Sequence, residues 1–227
     1  MPVKMPAITK HYLFDFDGTL VDSMPYWADT MLKILDDNGI SYPENTINII
    51  TPLGLIGTAE YFISLGLDKS KEEILALMRE YLVPKYKEVI PAKEGVAHCL
   101  EVMKSLGIKL HILTASPHVF LDPCLKHNGI YGCFENIWSC EDFGTGKTDP
   151  VIYLKAAERI GTSVDNVTFL DDNLNADMTA VSAGMKVIGV YDDTSREAEA
   201  QIRASTHGYI RTFAELEEYL LQSFTQC

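Results

Sequence analysis

No Cys-x-x-Cys pair occurs in this chain, and its five cysteines, Cys99, Cys124, Cys133, Cys140 and Cys227, are odd in number. Both facts argue against a disulfide framework and against a zinc ribbon. Cys133, Cys140 and His127 lie near one another in sequence, but they are read as ordinary thiols and an ordinary imidazole rather than as metal ligands. No run of about 18 uninterrupted apolar residues is present, so no membrane span is expected. The segment Met1 to Lys10 lacks the long apolar stretch of a signal peptide, which makes a cytoplasmic address the default expectation. Basic residues are scarce: 19 stand against 32 acidic ones, a net charge of −13. Phosphate backbones require a basic surface, so nucleic acid is not an expected partner, although a local basic pocket could still hold one phosphate. There is no internal repeat and no low-complexity tract.

The chain does have enough material for a core without staples: 227 residues, 47% of them hydrophobic. The run His11–Phe16 reads as a buried strand leading into a loop at Asp15–Thr19, punctuated by Gly18. From about residue 24 to residue 90 the pattern is helical, without a convincing strand. Trp27, Met31, Ile34 and Leu35 recur at helical spacing before Gly39, Thr58–Leu65 follows, and Lys71–Tyr86 opens behind Ser70 as its cap. The Thr51–Thr58 stretch between them, rich in glycine and proline, is read as a loop, either one that touches a bound ligand or an ordinary connection between helices.

After Pro91 the grammar changes to alternating helices and strands. Strands are expected at Lys109–Thr114, Asn136–Ser139, Val167–Leu170, Lys186–Tyr191 and Gly208–Ile210. Helices are expected at Glu94–Leu106, His118–His127, Pro150–Ile160, Ala176–Ala183, Thr194–Ala204 and Phe213–Phe224. Alternation of this kind builds βαβ units. The expected fold is therefore α/β: a Rossmann-like, mostly parallel sheet core (residues 1–23 and 91–227) with an inserted all-helical cap domain (24–90).

In open α/β sheets ligands bind at the carboxyl ends of the strands. Three expected strands end in polar or acidic residues: Asp15-Phe16-Asp17, Thr114-Ala115-Ser116 and Asp171-Asp172-Asn173. Lys147 precedes the helix that starts near Pro150. Taken singly, each is as readily a turn residue, a helix cap or a solvated lysine. Taken together, neighbouring carboxylates repel unless a cation joins them, hard oxygen ligands favour Mg²⁺ over zinc, and a lysine and a hydroxyl suggest a bound anion. A phosphate bridged to a metal ion has this equipment.

The motifs Asp15-Phe16-Asp17-Gly18-Thr19-Leu20-Val21-Asp22-Ser23, Ile112-Leu113-Thr114-Ala115-Ser116, Gly146-Lys147-Thr148-Asp149-Pro150 and Phe169-Leu170-Asp171-Asp172-Asn173, in that order, resemble those of the haloacid dehalogenase-like superfamily. The group with a helical cap, which includes phosphoglycolate phosphatases and β-phosphoglucomutases, is the nearest in pattern. The resemblance implies that Asp15 is the nucleophile and Asp17 the general acid and base. It implies that Thr114, the N–H of Ala115 and Lys147 hold phosphate, with Gly18 leaving room for the anion. Asp15, Asp171, Asp172 and the carbonyl of Asp17 would hold Mg²⁺, the order within the Asp171-Asp172 pair being open. Thr148 stands where proline is common, and Ala176 where many relatives carry another acid.

The activity implied is a Mg²⁺-dependent phosphatase acting on a small phosphate ester, with a sugar-phosphate mutase or a non-catalytic binding protein on the same fold as alternatives. The cap, hinged near Asp22–Pro25 and Ile90–Pro91, would exclude water from small substrates. The substrate, and whether the chain is a monomer or a homodimer, stay open.

Overall fold

The structure, a computed structural model, describes residues 5–225; Cys227 and the first four residues of the N-terminal segment lie outside them. It separates into two compact units, one formed by the residues through Asp22 together with those from Pro91 onward, the other by Ser23–Ile90.

The chain opens with strand β1 (His11–Phe14). This is shorter than the expected His11–Phe16. The N–H of Asp15 still donates to the Leu170 carbonyl (2.8 Å), but the Phe16 carbonyl then accepts from both Leu20 (2.9 Å) and Val21 (3.1 Å). The backbone has left the sheet to form a tight turn.

The second unit is all helical. Helix α1 (Met24–Asp37) carries proline in its first turn, where a missing N–H removes no intrahelical bond, and buries Met31, Ile34 and Leu35. Helix α2 (Thr46–Ile50) was not expected. The Thr51–Thr58 stretch, expected to be a loop, is a 3-10 turn (Thr51–Leu53) running into helix α3 (Gly54–Ser64). Gly54, at φ +63°, redirects the chain there, while Thr58, Ala59 and Phe62 supply the buried stripe that makes the segment helical. Helix α4 (Lys71–Glu88) begins at a capping box of Ser70 and Glu73 and buries Ile74, Met78, Leu82 and Tyr86 at four-residue steps. The Tyr81 hydroxyl donates to Asp37 at 2.8 Å, joining α4 to the end of α1.

The remaining elements alternate as expected: α5 (Val96–Ser105), β2 (Lys109–Thr114), α6 (His118–His127), β3 (Asn136–Ser139), α7 (Val151–Ile160), β4 (Val167–Asp171), α8 (Leu174–Ser182), β5 (Lys186–Val190), α9 (Glu199–Ser205), β6 (Gly208–Ile210) and α10 (Phe213–Thr225). The single helix expected over Thr194–Ala204 is a 3-10 segment (Asp193–Ala198) followed by α9. The Asp192 side chain caps that segment by accepting from the Thr194 N–H at 3.0 Å.

Among the described residues, six strands form one all-parallel sheet in the order β3-β2-β1-β4-β5-β6. Strand order reverses beside β1, which pairs with β2 on one side and β4 on the other. Phe14 stands opposite both Ile112 and Leu170. The register therefore sets the carboxyl ends of three adjacent strands level at a topological switch point, where open α/β sheets leave a crevice. Leu13, Leu113, Phe169 and Val187 pack on one face against Ile152, Tyr153 and Ala156 of α7 and Ala176 and Ala180 of α8. Full burial of a large apolar side chain stabilises by about 1.5–3 kcal/mol, so this layer fixes the strand ends rigidly. Among the described residues, no helix is long and apolar enough to cross a membrane.

Candidate active site

Asp15 leaves the end of β1 as a buried carboxylate. Lys147, from the loop before α7, donates from Nζ to Asp15 Oδ1 and, at 2.7 Å, to Asp171 Oδ2 at the end of β4. The same ammonium lies 5.6 Å from the centre of the Phe169 ring. Burial alone would push the lysine pKa down, but the charges of Asp15 and Asp171 outweigh it and hold the value well above its ordinary range. Lys147 is thus a fixed cation between two acids.

The two neighbouring acids differ in what occupies them. Asp171 has both oxygens engaged: Oδ2 by Lys147 and Oδ1 by the Asn173 N–H at 2.8 Å. Burial pushes its pKa up to about 6, against the pull of Lys147. Asp172 accepts one hydrogen bond, from Thr19 Oγ1 to Oδ1 at 3.2 Å. Burial and then the charges of Asp171 and Asp15 raise its pKa well above the carboxylate range. Gly18 crosses over this carboxylate with φ +76°, and a Cβ there would stand 2.8 Å from both Asp172 oxygens. The Gly18 N–H is donated to the Val21 carbonyl at 3.0 Å. What the position demands is therefore the absence of a side chain over Asp172.

Asp15, Asp171 and Asp172 each offer one oxygen, all within 4.8 Å of one another. Fully ionised, the three carboxylates set against Lys147 leave an excess of two negative charges, which one divalent cation would neutralise. Buried carboxylate oxygens in this number suit a hard cation such as Mg²⁺.

The second strand end contributes hydroxyls. Thr114 is buried, and its Oγ1 accepts from the Ser116 N–H at 3.1 Å, which shapes the Thr114–Ser116 loop. Ala115 is exposed at its tip. The Ser116 hydroxyl hydrogen-bonds to the Asp17 carboxylate. The structure thus brings Asp15, Lys147, Asp171 and Asp172 into one cluster, with Gly18 over Asp172, and joins Asp17 to the Thr114–Ser116 loop.

Two features escaped the sequence reasoning. Lys93 Nζ pairs with Asp192 Oδ2 at 2.8 Å and also donates to the Tyr191 carbonyl at 2.8 Å. This ion pair stands close enough to influence Asp172 electrostatically. Asp177, in α8, is fully buried and, among the described residues, has no hydrogen-bond partner on either oxygen. A signal for it was present: position 177 falls on the same helical stripe as Ala176 and Ala180, which face the core. Ala176 itself offers no acid, and its carbonyl accepts from the Tyr153 hydroxyl at 3.0 Å.

A parallel α/β sheet with an acid cluster, a lysine and a hydroxyl loop at its switch point defines a class of α/β enzyme. The haloacid dehalogenase-like hydrolase pattern matches residues 9–184, and the chain belongs to that family of hydrolases. Pyrophosphatase PpaX of Bacillus velezensis is 28% identical over 179 residues, covering 78% of this chain and 81% of that protein. Phosphoglycolate phosphatase of Psychrobacter arcticus is 24% identical over 225 residues, covering 93% and 96%. Among solved structures, CbbY from Rhodobacter sphaeroides, in complex with phosphate, superposes with a TM-score of 0.80 at 20% identity, covering 92% of this chain and 96% of that one.

Proposed function

We propose that this hydrolase is a Mg²⁺-dependent phosphatase that cleaves a small phosphate monoester through an aspartyl-phosphate on Asp15. The observation that carries this is the Lys147 ammonium bound jointly to Asp15 and Asp171 within a cluster of three buried carboxylates. A carboxylate is a poor nucleophile towards an anionic phosphate because like charges repel. A cation held against Asp15 lowers that repulsion and afterwards stabilises charge on the transferring oxygens.

Mg²⁺ would be held by Asp15, Asp172 and the carbonyl of Asp17, where it would neutralise phosphate charge as a Lewis acid. Asp172 suits direct ligation because, among the described residues, one of its oxygens accepts no hydrogen bond, whereas both oxygens of Asp171 are engaged. Asp171 would then orient Lys147. Thr114, the Ala115 N–H and Lys147 would hold the phosphate oxygens, and Gly18 would keep the space over Asp172 clear.

Asp15 attacks phosphorus as the bond to the ester oxygen breaks. Protonated Asp17, oriented by Ser116, gives its proton to that oxygen, and the alcohol departs. Asp17, now a carboxylate, removes a proton from a water that attacks the phosphorus of the acyl phosphate. Phosphate leaves, Asp15 is restored and Asp17 is protonated again. Named relatives that act on pyrophosphate and on phosphoglycolate support a small phosphate as the substrate class.

A phosphate-release assay on an aryl phosphate tests this. Release should stop with EDTA and return with Mg²⁺. Full activity after exhaustive chelation would refute the metal's part.

A further inference from the structure

His118 opens α6 directly behind the Thr114–Ser116 loop and is held between two carboxylates. Its Nδ1 lies 3.0 Å from Asp122 Oδ1 and its Nε2 3.0 Å from Asp142 Oδ2. A neutral imidazole has one N–H and one lone pair, so it can satisfy only one of two flanking carboxylates. The imidazolium donates to both.

Asp142 is more than a surface acid. It belongs to the 3-10 turn Cys140–Phe143 that follows β3. The oxygen that faces His118 also accepts from the Ser139 N–H at 2.9 Å. Its backbone carbonyl accepts from Arg159 Nη2 at 2.8 Å. Phe143, next in the chain, is buried in the core layer, and Gly144 then turns the chain into the loop that carries Lys147. His118 therefore joins the segment before Lys147 to the loop whose Ser116 holds Asp17.

We propose that His118 is a positioning residue: as an imidazolium it ties the Thr114–Ser116 loop to the Cys140–Phe143 turn, and substrate binding weakens when that proton is lost. This rests on the phosphatase function proposed above. The groups facing the ring are Asp122 from its own helix and Asp142 from the 3-10 turn. Arg159 of α7, whose guanidinium carbon lies 3.8 Å from the centre of the Phe143 ring, backs Asp142. Asp122 first and then Asp142 hold the imidazole above its ordinary value of 6.5, with burial opposing. For a histidine raised in this way the tie is complete below its ordinary value and is lost as pH rises through the raised one.

Two variants and one spectroscopic titration test it. KM for an aryl phosphate, with Mg²⁺ present, should rise several-fold in the wild type between about pH 6 and about pH 9, with kcat little changed. His118→Gln offers no cation to the two acids, so its KM should be raised about 5-fold already at the acid end and stay flat, a loss the size of one ordinary hydrogen bond. His118→Arg keeps a permanent cation there and should hold the low KM at every pH. A His118→Gln profile superimposed on the wild type would overturn the proposal.

If no protein in the set released phosphate, the proposed activity would fail, yet the tie would remain testable by NMR. The Ser116 and Lys147 amide resonances should shift with the titration of the His118 ring, and should not shift in His118→Gln. Amides unmoved by that titration would overturn it.

Discussion

The carboxylate of Asp172 lies directly beneath Gly18, where a Cβ would stand 2.8 Å from both of its oxygens. The glycine and the acid are 154 positions apart and come together only because β1 and β4 are neighbours in register. Gly18→Ala should therefore strain a positive-φ position and push Asp172 from its place under the turn. The expected result is an unchanged far-ultraviolet dichroism spectrum, with Mg²⁺ affinity or turnover lowered by about 10–100-fold, as for loss of a group that orients a metal ligand. A magnesium titration of activity measures it, and wild-type magnesium dependence would contradict it.

Lys147 holds two acids at once, so removing it acts on both. Lys147→Met should lower kcat by about 10²–10³, the size of effect seen when one preorganised charge donor is removed. Lys147→Arg should recover little of this, because a planar guanidinium has neither the size nor the point-charge geometry to reach Asp15 and Asp171 together. Steady-state kinetics on an aryl phosphate decides between a shared role for Lys147 and a merely structural one.

Asp177 should be a cost to the fold. Its carboxyl is buried without a hydrogen-bond partner among the described residues, and burial first, then the charges of Asp171 and Asp172, raise its pKa well above the ordinary value of 3.8. The folded state then binds a proton that the unfolded state has released, so stability contributed by this group is present below pH 3.8 and lost as pH rises through the folded value. Asp177→Ala removes the buried polar atoms and should raise stability at neutral pH by about 1–3 kcal/mol. Urea unfolding across pH measures both the gain and its disappearance in acid.

Within β2, His111 titrates in the opposite sense. It is buried between His11 and Trp138, and burial first, then the neighbouring His11, push its pKa from 6.5 down to about 4. The unfolded chain binds a proton in that window and the folded chain does not, so stability should fall as pH drops from 6.5 towards 4. At about 1.4 kcal/mol per pKa unit the loss from this one residue is of the order of 3 kcal/mol. His111→Phe should flatten that part of the pH–stability profile, which thermal denaturation between those limits would show.

Much of this architecture was legible in the chain. Periodicity alone separated the helical stretch between residues 24 and 90 from the alternating remainder, because buried parallel strands and amphipathic helices leave different repeats. The polar strand ends at Asp15, Thr114 and Asp171 marked the site, because open α/β sheets bind ligands at the carboxyl ends of their strands. Lys147 carried no local signal and became legible only through the order of the motifs. The Lys93–Asp192 pair was hidden because its partners are brought together by tertiary packing and share no sequence neighbourhood. Asp177 was hidden because a polar residue on a helix is ordinarily solvated, and only its place on the buried stripe betrays it. The tight turn after Phe14 cut the first strand short, since the Phe16 carbonyl serves Leu20 and Val21 instead of a neighbouring strand.

The central claim is a covalent aspartyl-phosphate on Asp15, and trapping that acyl phosphate tests it most directly. The protein would be mixed with an aryl phosphate and Mg²⁺, quenched during turnover, reduced with borohydride and digested, and position 15 read by mass spectrometry. Reduction of an aspartyl-phosphate leaves homoserine. The expected result is homoserine at position 15 and at no other aspartate, only when substrate and Mg²⁺ are both present, and none in Asp15→Asn. Rapid phosphate release with unmodified Asp15, or with the label on Asp17, Asp171 or Asp172, would contradict it.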